Sequence, residues 1–238
     1  IELMFKNGKY YLLEMNTRIQ VEHPVTEEVH VLKRGDHSEE PLNLVQWQMR
    51  LADGKPIDFN QDQIICKRVG REYRINAESW NPSLKDSRDG KVGLFIPNAG
   101  VFDRIEIPEA ETVLKNLPAE IRDKVSGLKI RFDCGFEEGD VLVNKDPTFG
   151  KLIISIDGED YELLRQVSLE TLRLMRIEGR QVRPDARVIE GSEFKTNLPD
   201  HLRVLDADIL KSHSVDGADW GKSLKRHVNW VVQALRSS

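Results

Sequence analysis

The chain has 238 residues, of which 39% are hydrophobic and 32% charged, a composition typical of a globular protein rather than a disordered one. A net charge of −5 argues against a general nucleic-acid or anionic-membrane binder, and no apolar run is long enough to span a membrane. Cys66 and Cys134, the two cysteines, exclude a disulfide framework and a four-cysteine zinc site and favour a reducing compartment.

Two β-rich runs come first in the chain. "IELMF" and "KYYLLEMN" flank Asn7-Gly8, a strong signal for a β-hairpin. "HPVTEEVHVLK" then predicts the opening of a short helix with Pro24 in its first turn, and "LNLVQWQMRLADG" predicts a second helix closed by Gly54. Residues 54–62 are polar and contain Pro and Gly, so we expect a boundary there that separates residues 1–60 from 61–238.

Short strands dominate after this boundary. The candidates, separated by turn-rich loops, are residues 71–77, 91–96, 101–107, 128–134 and 150–156. Helices are predicted in the charged segment 108–126, in the long amphipathic segment 159–177, from "TNLPDHLRVL" onwards and at 220–235. The pattern predicts an α+β protein with a mainly antiparallel sheet and flanking helices.

Polar side chains alternate with less polar ones in "EMNTRIQVE". Side chains two apart share a face of an extended strand. Five polar side chains are therefore predicted to line one edge of a strand: Glu14, Asn16, Arg18, Gln20 and Glu22. One interpretation is a half-buried strand with a polar solvent face. The other is a site for an anionic substrate beside a divalent metal, because carboxylate and amide oxygens ligate Mg²⁺, Arg binds oxyanions and a further carboxylate can accept a proton.

The register of the hairpin decides whether Glu2 can join Glu14. A two-residue turn pairs Glu2 with Leu13, which places the two acids on opposite faces. A three-residue loop with Gly8 in the left-handed bulge position pairs Glu2 with Leu12 and brings the acids to one face. The metal hypothesis therefore predicts the three-residue loop.

The motif "EMNTRIQVEHPVTE" closely resembles the signature of biotin carboxylase, the ATP-grasp component of acetyl-CoA, propionyl-CoA and pyruvate carboxylases. Supporting matches follow in order: "IELMF", "QWQMRLADGKP", "YRINAE", "DPTFGKLI" and "TNLPDHLRVL". The resemblance covers nearly the whole chain and implies a piece of a longer protein. Residues 1–60 would be the C-terminal part of an ATP-grasp core, and residues 61–238 the biotin carboxylase C-terminal domain. The chain departs from the family at Tyr73, where the family has Cys.

The resemblance implies roles in carboxylation for five residues. Arg18 would bind bicarbonate, aided by Gln20 and the backbone of Val21. Glu22 would be the general base that deprotonates bicarbonate, and Arg74 would stabilise the enolate form of biotin. A solvated strand face or a surface ion pair is the structural alternative for these charged residues.

The resemblance also implies a metal and a nucleotide. Glu2 and Glu14, assisted by Asn16, would hold Mg²⁺ or Mn²⁺ between the phosphates of ATP. Three leucines would line the adenine pocket, although their pattern alone suits an ordinary core: Leu3, Leu13 and Leu198. The family's glycine-rich phosphate loop is not found in this sequence, so the isolated chain is predicted to be inactive.

The implied activity is ATP- and bicarbonate-dependent carboxylation of biotin, a substrate held on a carrier. The implied partners are biotin carboxyl carrier and carboxyltransferase domains or subunits and a second copy in a homodimer, with no nucleic acid and no membrane. The expected location is the cytoplasm, with the mitochondrion as the alternative. Two other hypotheses remain: a different ATP-grasp ligase similar to carbamoyl-phosphate synthetase, and a dimerisation or assembly module without turnover of its own.

Overall fold

The computed structural model describes residues 2–35, 37–85, 92–143, 146–183, 185–199 and 201–202. The chain divides into two compact units. The first contains the residues up to Arg71 together with Asp157–Glu159, and the second contains Glu72–Ile156 and the described residues from Asp160 onwards. The helix predicted at 220–235 lies outside the described residues.

The first unit contains a hairpin and a small three-stranded sheet with two helices. Its elements are β1 (Glu2–Lys6), β2 (Lys9–Glu14), α1 (His23–Val29), β3 (His30–Lys33), β4 (Glu39–Pro41), α2 (Leu44–Ala52) and β5 (Ile64–Cys66). β1 pairs antiparallel with β2, and β3 pairs antiparallel with both β4 and β5. Asn7 and Gly8 both have positive φ, 52° and 76°, which is the conformation that a two-residue hairpin turn requires.

Both predicted helices of the first unit are confirmed, but the end of the first predicted segment, His30–Lys33, forms β3 instead of continuing the helix. Pro24 lies in the first turn of α1. The side chain of Asn43 caps α2 by accepting a hydrogen bond from the Gln46 amide, and Gly54 follows the helix with a φ of +77°. α2 buries Trp47 against Leu32 and Leu42, the centre of a small apolar cluster.

The second unit is built mainly of strands. Its elements are β7 (Glu78–Lys85), β8 (Val92–Pro97), β9 (Gly100–Glu106), α3 (Ala110–Asn116), α4 (Ala119–Arg122), β10 (Lys129–Cys134), β11 (Val141–Leu142), α5 (Tyr161–Leu174) and β13 (Arg176–Gln181), together with most of β6 (Arg68–Asn76) and β12 (Thr148–Asp157). The strand orders are β10-β12-β6, β11-β9-β13 and β7-β8. The predicted α+β class with mainly antiparallel pairing is confirmed.

The core of the second unit contains a cluster of phenylalanines. The ring centroid of Phe102 lies 4.9 Å from that of Phe149 and 5.0 Å from that of Phe194. The helix α5 adds Leu164 and Val167, both fully buried. No described helix has the length and apolar character needed to cross a membrane.

The helix predicted from the sequence is longer than α5, and the strand that follows α5 was not predicted. The predicted helix at 159–177 spans Tyr161–Leu174, and its C-cap Met175 already has extended backbone angles. The next residue, Arg176, begins β13, which pairs with β9 from Glu106 to Gly100. β13 carries three charged residues and a glycine in six positions, so only its pairing with β9 identifies it as a strand.

Gly179 lies where the register of β13 shifts against β9, and it has no room for a side chain. A Cβ atom added there would lie 2.2 Å from the backbone oxygen of Val101 and 3.2 Å from the Cβ of Phe194. Because backbone cannot move aside as a flexible side chain can, Gly179→Ala is expected to lower the free energy of unfolding by about 3 kcal/mol.

The measurement is denaturant unfolding of the chain followed by circular dichroism. Gly135→Ala is the matched control, since a Cβ atom there meets nothing within 4 Å. The control is expected to change the stability by less than about 1 kcal/mol. Equal stability of the two variants would contradict the close approach of β13 to β9.

Candidate functional site

The hairpin places Glu2 opposite Glu14. Its pairing is regular from the turn as far as Leu3 and Leu12, so the turn has two residues, and the predicted three-residue loop is wrong. The register then shifts, and the next pair is Glu2 with Glu14. Leu13 is the additional residue of β2, a β-bulge at the end of the strand.

This bulge changes the face on which Glu14 lies. In a regular ladder Glu14 would share the face of Leu12, and Glu2 would point to the other face. One additional residue reverses the alternation, so the two acids become cross-strand neighbours, with Cβ atoms about 4.5–5.5 Å apart in such pairs. The juxtaposition that the metal hypothesis requires is therefore achieved by a bulge at the strand end rather than by a longer loop.

Asn16 joins this pair of acids. Its Nδ2 donates a hydrogen bond of 2.8 Å to Oε1 of Glu2. Glu2 and Asn16 are half-buried and Glu14 is exposed. Within the described ranges no three His, Cys, Asp or Glu side chains cluster, so this set consists of two carboxylates and one amide. Hard oxygen donors of this kind suit Mg²⁺, which retains several water or phosphate ligands.

Residues 15–22 do not continue the strand. β2 ends at Glu14, and the chain then runs through an irregular segment and a turn to α1, so the predicted extended strand over Glu14–Glu22 is wrong beyond its first residue. No described strand pairs with this segment, and an extended chain without a ladder partner has no reason to stay regular.

The predicted alternation nevertheless appears in the burial of this segment. Met15 is 65% exposed and Ile19 is also exposed, whereas Asn16 and Gln20 are half-buried. Arg18 departs from the alternation, because it is exposed. The segment thus turns amides inwards and apolar side chains outwards, the reverse of an ordinary surface strand.

The turn before α1 holds Gln20 and Glu22. The backbone oxygen of Gln20 accepts a hydrogen bond from the His23 amide at 3.2 Å, and His23 Nδ1 lies 2.7 Å from the same oxygen. The backbone oxygen of Glu22, the N-cap residue, accepts from the Val25 amide at 3.0 Å. The Nε2 atom of Gln20 is buried and has no hydrogen-bond partner among the described residues. His23 therefore stabilises this turn by binding the backbone oxygen of Gln20 with both its amide and its ring.

Two of the predicted site residues belong to the second unit. Arg74 is on β6, its side chain is 52% exposed, and its Nε lies 3.7 Å from Oε1 of Glu72. Leu198 is half-buried at the point where helical residues begin. In the first unit, Leu3 is half-buried, whereas Leu13 in the bulge is 56% exposed.

Comparison with known proteins gives one matching family model. Residues 1–59 match the model described as carbamoyl-phosphate synthase L chain, ATP binding domain. This match contains the hairpin, the irregular segment and α2. Over these residues the chain is similar to the ATP-binding domain of ATP-grasp enzymes.

The similar proteins extend over most of the chain. A biotin carboxylase of Haemophilus influenzae is 31% identical over 206 residues, which is 86% of this chain and 34% of that protein. The mitochondrial methylcrotonoyl-CoA carboxylase subunit alpha of Mus musculus is 28% identical over 224 residues, 89% of this chain and 25% of that protein. The chain thus spans between a quarter and about a third of the length of these relatives.

The solved structures agree with the sequences. The biotin carboxylase domain dimer of the Hydrogenobacter thermophilus 2-oxoglutarate carboxylase, in complex with MgADP, ADP and bicarbonate, is 25% identical. It matches 85% of this chain and 33% of that chain with a TM-score of 0.55. The particular enzyme that this chain resembles within the ATP-grasp class is biotin carboxylase, and the resemblance carried by the sequence motifs is confirmed.

Proposed function

We propose that the polypeptide carrying this chain carboxylates biotin at the expense of ATP and bicarbonate. Residues 1–60 would be the C-terminal part of its ATP-grasp core, and residues 61–238 its C-terminal domain. The observation that carries this proposal is the pairing of Glu2 with Glu14 at the bulge, with Asn16 bound to Glu2. The match of the family model to residues 1–59 supports the first of the two assignments.

Glu2, Glu14 and Asn16 would hold Mg²⁺ or Mn²⁺. Their two carboxylates and amide provide the hard oxygen donors that such a cation prefers, so the residues present fit the metal. The bound cation supplies charge neutralisation for the phosphates of ATP. Because Nδ2 of Asn16 is taken up by Glu2, the amide oxygen is the atom left for the cation.

The bicarbonate step would use the segment that follows. Arg18 would bind the anion with its planar guanidinium, aided by Gln20 and the backbone of Val21. The buried Nε2 of Gln20 supports this role, because a bound anion would supply the acceptor that the described protein atoms do not. Glu22 would take the proton from bicarbonate, whose oxygen then attacks the γ-phosphorus of ATP as ADP leaves. The carboxyphosphate so formed would release CO₂ and phosphate.

Biotin would receive this CO₂ at N1. Arg74 would stabilise the enolate form of the biotin ureido group by its positive charge. Leu3, Leu13 and Leu198 would contact the adenine of ATP. The partners would be biotin carboxyl carrier and carboxyltransferase domains or subunits and a second copy in a homodimer. The location would be the cytoplasm, or the mitochondrion as for the mouse relative.

A second candidate is a ligase similar to carbamoyl-phosphate synthetase. It is favoured by the description of the matching family model and shares the metal and bicarbonate steps. The two functions differ in the molecule that reacts after carboxyphosphate has formed, which is biotin in ours and ammonia in this candidate. Formation of carbamoyl phosphate from ammonia, without any effect of biotin on ATP cleavage, would favour this candidate over ours.

The proposed function is tested with the complete polypeptide and the isolated chain side by side. Phosphate release from ATP is measured with and without bicarbonate and free biotin. The complete polypeptide is expected to release phosphate only with bicarbonate and to carboxylate biotin. The isolated chain is expected to show no turnover, since it spans about a third of the length of the Haemophilus influenzae relative. Turnover by the isolated chain at a comparable rate would contradict the expectation that it holds only part of the site.

A further inference from the structure

The outer edge of β6 is closed by side chains. Among the described strands β6 is the last in the order β10-β12-β6, so alternate backbone groups along its outer edge have no strand to pair with. Arg74 and Asn76 are two residues apart on this strand, and their backbone groups therefore point to the same edge. Both are bound by the segment around Asn197.

Asn197 makes three hydrogen bonds with this edge. Its side-chain Nδ2 donates to the backbone oxygen of Arg74 at 3.0 Å. Its Oδ1 accepts from the Asn76 amide at 2.9 Å, and its own backbone amide donates to the Asn76 oxygen at 3.0 Å. A side-chain amide carries the same donor and acceptor as a peptide group. One buried residue, 7% exposed, thus replaces part of a neighbouring strand.

His201 binds the same carbonyl from one helical turn further on. Its Nε2 lies 2.9 Å from the backbone oxygen of Arg74, and because a carbonyl can only accept, Nε2 is the protonated nitrogen. The His201 amide donates to the Asn197 oxygen at 3.2 Å, which links the two residues as a helical turn does. The His201 ring also packs edge-on against Tyr73, with centroids 5.4 Å apart.

These contacts fix the backbone at a residue whose side chain reaches the surface of the unit. Tyr73 and Ile75 on either side of Arg74 are buried, at 6% and 0% exposure, while the Arg74 side chain is half exposed. An arginine side chain loses about 2 kcal/mol of rotamer entropy when it is held in place. The position of its guanidinium therefore depends on a backbone that does not shift, and two donors to one carbonyl provide that restraint.

We infer that Asn197 and His201 are positioning residues that hold Arg74 for the biotin step. This inference rests on the proposed function, because it assigns to Arg74 the stabilisation of biotin. The packing of His201 on Tyr73 gives a reason why this chain has Tyr73 where the family has Cys. The tyrosine ring contacts His201, and His201 binds the backbone oxygen of Arg74, the residue after Tyr73.

The test compares two reactions of the complete polypeptide. Asn197→Asp keeps the acceptor for the Asn76 amide but replaces the donor to Arg74 by a carboxylate oxygen. His201→Leu removes the other donor, and His201→Gln retains an N–H of similar reach. For Asn197→Asp and His201→Leu, kcat/KM for free biotin is expected to fall at least about tenfold. The reason is that Arg74 would shift, and a small displacement of a catalytic group lowers the rate strongly. Bicarbonate-dependent ATP cleavage without biotin is expected to stay within about twofold of the parent, and His201→Gln to retain most of the biotin activity.

Asn116→Asp is the matched control. The Nδ2 of Asn116 also donates to a backbone oxygen, that of Thr112, but on the exposed surface of α3. Its kinetics are expected to equal those of the parent.

Three results would overturn the inference. Unchanged biotin kinetics in Asn197→Asp and His201→Leu would do so, and so would an equal loss of both reactions, which indicates a merely structural role. Should one variant fail to fold, the other decides, because each retains the bonds of the other residue. A parent that cleaves ATP with bicarbonate but does not carboxylate biotin would overturn the proposed function, and the inference with it.

Discussion

Replacing Glu14 by Gln is expected to lower bicarbonate-dependent ATP cleavage by the complete polypeptide about a thousandfold. The bulge places Glu14 opposite Glu2, so the substitution removes one of two paired negative charges while keeping the size of the side chain. A neutral amide oxygen is a far weaker ligand for Mg²⁺ than a carboxylate, and the metal provides several kcal/mol of charge stabilisation in phosphoryl transfer, where each 1.4 kcal/mol is a factor of ten.

The measurement is phosphate release as a function of Mg²⁺ concentration. The variant is expected to require a higher Mg²⁺ concentration for half-maximal rate, a shift that general unfolding would not produce. Glu111→Gln is the control, because Glu111 is an exposed acid of α3 that forms a surface pair with Lys115. If Glu14→Gln retained the Mg²⁺ dependence of the parent, Glu14 would not belong to the metal site.

Replacing Glu22 by Gln is expected to lower the same reaction about a hundredfold to ten-thousandfold, the range that a positioned general base contributes. Glu22 is half-buried and immediately precedes α1, where the backbone bonds of the turn fix its position. Gln keeps the shape of the side chain but cannot take a proton from bicarbonate.

This variant should differ from Glu14→Gln in its response to metal. The rate is measured at saturating ATP, bicarbonate and Mg²⁺, and the nucleotide affinity is measured by equilibrium binding. Affinity and Mg²⁺ dependence are expected to match those of the parent, because Glu22 has no part in holding the cation. A rate above about a tenth of the parent's would rule out Glu22 as the base.

The sequence predicted the turns and helix ends that depend only on residues close together in the chain. Asn7-Gly8 indicated a hairpin because two successive residues with positive φ are needed in a two-residue turn. Pro24 and Gly54 indicated where α1 begins and where α2 ends, for equally local reasons. Strands β6, β9, β10 and β12 followed from their apolar runs.

Features that depend on partners distant in sequence were not predictable in this way. Leu13 has nothing in its type or neighbours that distinguishes a bulge from a regular strand position, so the register of Glu2 had to come from the structure. The alternation after Glu14 resembled a strand because alternate burial produces the same pattern in an irregular segment. Asn197 stood within a recognised motif, but its three bonds go to a strand more than a hundred positions earlier.

The closure of the outer edge of β6 has a consequence for solubility. Unprotected strands recruit strands of other molecules, and this route to aggregation is open to any sheet that ends without a cover. Among the described residues, the cover is the side-chain amide of Asn197 with the turn that carries it, rather than charge, proline or a further strand. Loss of the Asn197 side chain is therefore expected to expose this edge and to favour self-association of the protein.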